Sequence, residues 1–180
     1  MGLDVTAYRK LTKVENPTVE QRNGEEFETH FVAHAVDWTE KNWPGRAKGV
    51  VEGTVYTFAE TFDFCAGSYG GYNTWRDQLA KFAGYPLTEH PDNDRGPSHA
   101  AACWKGATGP FSELIDFADN EGVIGAEIAA KLAKDFASKT DQEVLEFSER
   151  ETGDHWFAEQ YRRWASAFTM AANGGAVCFH

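Results

Sequence analysis

The hydrophobic period changes partway along this chain, and that change restricts the fold more than any single residue does. Over residues 2–14 the side chains alternate, with Leu3, Val5 and Ala7 separated by polar neighbours, as one buried strand face requires. Asn16-Pro17 breaks the pattern, and the acidic stretch 18–28 reads as a loop or hairpin connection. Residues 28–38 alternate again, with Phe31, Ala33 and Ala35 on one face and His30, Val32, His34 and Val36 on the other. Asn42-Trp43-Pro44-Gly45 marks a turn, and residues 50–58 have the β-branched and aromatic content of a further strand despite Gly53.

From Trp75 onward the period is helical. Trp75, Leu79, Phe82 and Ala83 share a face, and Gly84 with Pro86 supplies the stop. Residues 88–97 read as a surface loop, Ser98 as the cap of a short helix, and Pro110 as the opening of another. Ile128, Leu132 and Phe136 recur at i, i+4, i+8 over residues 126–138. Thr140-Asp141-Gln142-Glu143 fits a capping box. The longest helix is expected over residues 154–173, with Gly174 ending it, and 176–179 returns as a closing strand. The expected fold is a single α+β domain over 1–180. It has a small antiparallel sheet, built from the N-terminal half plus the C-terminal strand, packed against several helices.

Composition narrows the partners. The 180 residues carry 17 Lys+Arg against 28 Asp+Glu, a formal charge of −11. A duplex nucleic-acid or anionic-membrane partner needs a cationic face, so neither is expected. No apolar run is long enough to span a bilayer. No basic, apolar leader opens the chain, and Cys65, Cys103 and Cys178 are odd in number and widely spaced. These features predict reduced thiols and a cytoplasmic location. Six tryptophans and thirteen phenylalanines leave room for a homodimer interface.

Two segments carry the candidate chemistry. In the first, Cys65-Ala66-Gly67-Ser68-Tyr69-Gly70-Gly71-Tyr72-Asn73-Thr74-Trp75-Arg76, three glycines precede a helical pattern. Glycines allow close approach to main-chain N–H groups, and a helix start favours an anion. Tyr69, Tyr72 and Trp75 offer faces for a base, and Ser68, Asn73 and Arg76 offer polar contacts. The alternative is a glycine-rich turn into a helix whose aromatics fill the core. In the second segment, residues 109–125, Asp116, Asp119 and Glu121 cluster beside glycines. They read either as ribose-hydroxyl acceptors or acid and base, or as a solvated acidic turn.

The spacing does not fit a calcium loop, because Ala118 and Glu121 fall where an oxygen ligand and a glycine are needed. His30 and His34, on one strand face, would stand roughly 13 Å apart. No zinc motif and no nucleophile elbow is present, so neither a metal nor a cofactor is expected. A buried Cys65 is the commoner outcome for such a thiol.

Four blocks together resemble a widespread family of small phage and prophage proteins. They are the opening Met1-Gly2-Leu3-Asp4-Val5-Thr6-Ala7-Tyr8, the segment 66–76, the segment 111–125, and the ending Gly174-Gly175-Ala176-Val177-Cys178-Phe179-His180. Where that family commonly has Ser-Asp-Cys-Glu-Gly, this chain has Ala118-Asp119-Asn120-Glu121-Gly122, so no cysteine nucleophile carries over. The resemblance implies a phage-encoded accessory protein in the host cytoplasm, and such proteins often counter host defence.

Three functions follow, in order. The first is sequestration of a nucleotide-derived defence signal, such as a cyclic nucleotide or an ADP-ribose derivative, by Ser68–Arg76 with Asp116, Asp119 and Glu121. The second is an enzyme acting on such a ligand, with Asp119 and Glu121 as acid and base and His99 or His155 as helpers. The third is an acidic inhibitor of a host nuclease.

Overall fold

Leu3, Val5 and Ala7 are buried side by side on the strand that opens the chain, β1 (Gly2–Arg9), and the rest of the fold is assembled on its two edges and two faces. The computed structural model describes residues 2–91 and 96–180. After β1 come β2 (Thr12–Lys13), α1 (Val19–Arg22), β3 (His30–Val32), α2 (Val36–Asn42), β4 (Val55–Thr57), β5 (Glu60–Ser68) and α3 (Tyr69–Ala83). Then follow α4 (Ala101–Trp104), α5 (Ser112–Ile115), β6 (Gly122–Gly125), α6 (Ala126–Ala137), α7 (Asp141–Thr152), α8 (Trp156–Ala171) and β7 (Ala176–Phe179).

Two antiparallel sheets result. The larger has the order β5-β1-β7-β6, and the smaller has the order β2-β4-β3. Register sets the faces: Val5 opposes Phe64 and Phe179, and Thr6 opposes Asp63 and Cys178. Leu3, Val5, Ala7, Ile124, Val177 and Phe179 therefore point into one core with α3, α6 and α8. Val123, Ala176 and Cys178 point the other way, into a second core with Phe31, Ala33, Val36, Val50 and Tyr56 beneath the small sheet. The larger sheet thus lies between a helical layer and the small sheet, the α+β architecture expected. Tryptophans 75 and 164 stack at 5.8 Å in the helical core.

Close approach is built in where β7 meets β1. A Cβ at Gly175 would lie 1.8 Å from the Tyr8 carbonyl oxygen, so no side chain fits there. The β6 edge is covered. Val123 N–H donates to the Thr39 hydroxyl of α2 at 3.1 Å, and Gly125 N–H donates to the Arg46 carbonyl at 2.7 Å.

The capping box at Thr140 forms as expected, as do α6, α8 and the closing strand. Elsewhere the elements differ from the periodicity. The strand over 28–38 stops at Val32; Ala35 takes a left-handed φ of 60°, and α2 begins at Val36. Residues 60–68 form β5, with Phe62 and Phe64 packed on the helical core, and Gly70 and Gly71 lie inside the first turn of α3. Cys65 is exposed on β5 rather than buried, while Cys103 and Cys178 are buried; all three thiols are free. The loop expected over 88–97 falls partly on 92–95, which lie outside the described residues; its flanks pair through Thr88 and Ser98. The rings that suggested a homodimer are mostly held by the core, with Phe27 and Trp38 the exposed ones. No helix among the described residues is long and apolar enough to cross a membrane.

Candidate functional site

The glycine-rich segment folds inward. Ser68 Oγ caps α3 by accepting the Gly71 N–H at 3.0 Å, so the helix start is satisfied by its own serine. Tyr69 is half-buried, whereas Tyr72 and Trp75 are enclosed in the core. Arg76 is only 4% exposed. Its guanidinium donates to the Phe117 carbonyl and to Asn73 Oδ1, and lies 4.7 Å from the Tyr72 ring centre. Asn73 Nδ2 in turn donates to Asp119 Oδ2 at 2.7 Å, and Arg76 Nη2 lies 4.0 Å from the same carboxylate.

The two sequence blocks do converge, therefore, but on one another. Tyr72, Trp75 and Arg76 have no face left for a stacked base or a phosphate, because burial of that many rings outweighs leaving them at a surface. Asp116 belongs to the same fastening, held by Arg46 Nη2 at 2.7 Å. Burial pushes its carboxyl above the usual carboxylate range, and Arg46 pulls it partway back. The acid–base helpers lie elsewhere: His99 Nδ1 contacts the Tyr85 carbonyl at 2.7 Å, and His155 is exposed ahead of α8.

Glu121 is different. It stands immediately before β6 and lines a cleft of about 660 Å³ between β7 and β3, walled by α2. Half-buried Tyr8 and buried Phe31, stacked at 4.5 Å, make the floor with the buried Cys178 and Phe179 of β7. Exposed rings make the rim, Phe27 at 73% and Trp38 at 40% exposure. Burial pushes the Cys178 thiol up, so it stays protonated at the floor.

Three imidazoles complete the lining. His30 is braced: Gln21 Nε2 lies 3.1 Å from its Nε2, while Thr29 Oγ1 and Glu26 Oε2 lie 2.9 and 3.2 Å from its Nδ1. His34 is exposed, 3.9 Å from Glu52 Oε1. Glu52 itself caps α2 from sixteen residues away, accepting Val36 N–H at 2.6 Å and Asp37 N–H at 3.1 Å, because Ala35 has no capping side chain. His180 is placed by backbone pairing with Asp4 in both directions. Burial lowers its imidazole pKa, opposed by Asp4, Asp63 and Glu121 and reinforced by His34. Among the described residues, no three His, Cys, Asp or Glu side chains are arranged to hold a metal ion.

Sequence reasoning missed Phe27, Trp38 and His180 as lining residues, and treated His30 and His34 as a spaced pair on one strand. Both imidazoles nevertheless line one cleft, His30 from β3 and His34 from the two residues that follow it. Fold and site together define an α+β protein with an aromatic, histidine-lined cleft. No family model, curated protein or solved structure matches the chain.

Proposed function

We propose that the chain is a phage-type accessory protein that binds and sequesters a small nucleotide-derived ligand, a cyclic nucleotide or an ADP-ribose derivative, by enclosing its base in the cleft between the two sheets. One observation carries this reading: Phe27 and Trp38 stand exposed over the stacked Tyr8–Phe31 floor of a cleft sized for such a ligand. A flat base between rings gains stacking and removes apolar surface from water together. The phage setting, and with it the host cytoplasm, rests on the resemblance of the four sequence blocks.

Calorimetry and thermal shift across cyclic dinucleotides and ADP-ribose derivatives test the proposal. A ligand present at about a hundred times its Kd stabilises the fold by about 2.7 kcal/mol. Trp38→Ala and Phe27→Ala should each remove most of the binding. Silence across the whole panel would sink it.

Turnover is the second reading, favoured by the placement of Glu121 in the cleft with His34 and His180. Chromatography after denaturation separates the two readings. A sequestering protein returns its ligand intact, whereas an enzyme returns product and loses turnover in Glu121→Gln.

A further inference from the structure

The charges around the cleft say which end of such a ligand it encloses. Among the described residues no lysine or arginine side chain lines it, and Glu121 bears the only side-chain carboxylate in the lining. The ionisable groups facing its imidazoles are acidic as well: Glu26 beside His30, Glu52 beside His34, and Asp4 and Asp63 around His180. Phe27 and Trp38 stand at the rim, and aromatic ring faces carry partial negative charge and attract cations. A phosphate entering this space would meet a carboxylate and ring faces, with no permanent cation to offset them. A ring bearing N–H donors or a positive charge would find Glu121 and Trp38 in the same lining.

We propose that the cleft selects a flat nitrogen heterocycle that is cationic or rich in N–H donors, that Glu121 sets this preference, and that the ligand's phosphates remain outside. The inference rests on the ligand-binding reading above and specifies which part of the ligand is held. The formal charge of −11 acts in the same direction, since it disfavours bringing a polyanion into the interior. Burial of His180, which favours its neutral form, keeps a competing positive charge out of the site.

A charge series on one ring tests it: 1-methylnicotinamide (cation), nicotinamide (neutral) and nicotinate (anion), titrated into the full chain at pH 7.5 and followed by the Trp38 indole N–H signal in NMR. The cation should bind about tenfold or more tighter than the anion, with the neutral ring between them. In Glu121→Gln the three affinities should fall within about threefold of one another, and in Glu121→Lys the order should invert. Glu121 is exposed, so both variants are expected to fold.

Nicotinate binding as tightly as the cation, a series unchanged in Glu121→Gln, or no ring binding at all would each overturn the inference. Nucleotide binding without charge selection removes this inference and leaves the proposed function standing. Charge selection among the rings with no nucleotide bound removes the proposed function and leaves this one.

Discussion

The indole of Trp38 meets Trp43 edge-on at 5.2 Å, and Trp43 Nε1 donates to the Asp116 carbonyl at 2.7 Å. A rim ring of the cleft is thereby braced by a second ring that is itself fastened to the turn after α5. Preorganisation of this kind raises affinity by reducing the conformational freedom lost on binding. Trp43→Leu, which does not touch the cleft, should weaken ligand binding several-fold and cost about 1–2 kcal/mol of stability through the lost hydrogen bond and ring contact. Isothermal titration with a parallel urea melt checks both. Unchanged affinity in a destabilised variant would show that Trp38 holds its own position.

Arg76 should behave as a structural residue. It is almost wholly buried, and its removal leaves the Phe117 carbonyl and Asn73 Oδ1 without their donor. Arg76→Met is expected to cost about 3 kcal/mol. For a chain of this size that is roughly a 6–12 °C fall in Tm. Below its Tm the variant should keep its affinity for the ligand within about threefold, since no part of the cleft has changed. Loss of binding with stability intact would return the glycine-rich segment to consideration as the site.

The start of α2 offers two changes of opposite sign. Glu52→Ala removes the acceptor of two N–H groups and should cost about 1 kcal/mol. Ala35→Gly relieves a left-handed alanine and should stabilise by about 0.5 kcal/mol, the strain relieved exceeding the added chain entropy. Denaturation midpoints moving in the same direction for both would contradict this account of the turn.

Acid should weaken the cleft's hold on a cationic ring. Burial keeps the His180 imidazole below its ordinary value of about 6.5, so the ring is neutral in the fold at pH 7. As pH falls below about 6.5 the unfolded chain takes up this proton first, and His180 then subtracts from stability. At still lower pH the folded ring charges, and it repels the bound cation. Affinity for 1-methylnicotinamide should therefore be flat between about pH 8 and 6.5 and decline below, with a smaller decline in His180→Gln. The groups facing His180 are Asp4, Asp63, Glu121 and His34. Tighter binding in acid would contradict the sign.

Much of the helical half is legible from local signals, because a capping box at Thr140 or an i, i+4 stripe at Ile128, Leu132 and Phe136 is contained within one element. β5 is harder to see. Phe62 and Phe64 do alternate with Thr61, Asp63 and Cys65, but the glycines that follow draw the whole segment toward a loop. Gly70 and Gly71 disfavour a helix intrinsically, yet the Ser68 cap and burial of Tyr72 and Trp75 override that preference. β6 is four residues bounded by glycines, too short to show any period. The cleft is the least legible feature. Phe27, Trp38, Glu121 and His180 come from segments far apart in the chain, and only the sheet order brings them together.

The covering of β6 by α2 ties two structural tasks to one short helix. The element that denies an open backbone edge to a second copy of the chain also carries Trp38. Substitutions that loosen α2 to remodel the cleft would bare a strand able to recruit its own kind. Substitution is therefore freer at Phe27 and Glu121, which guard no edge, than at Thr39.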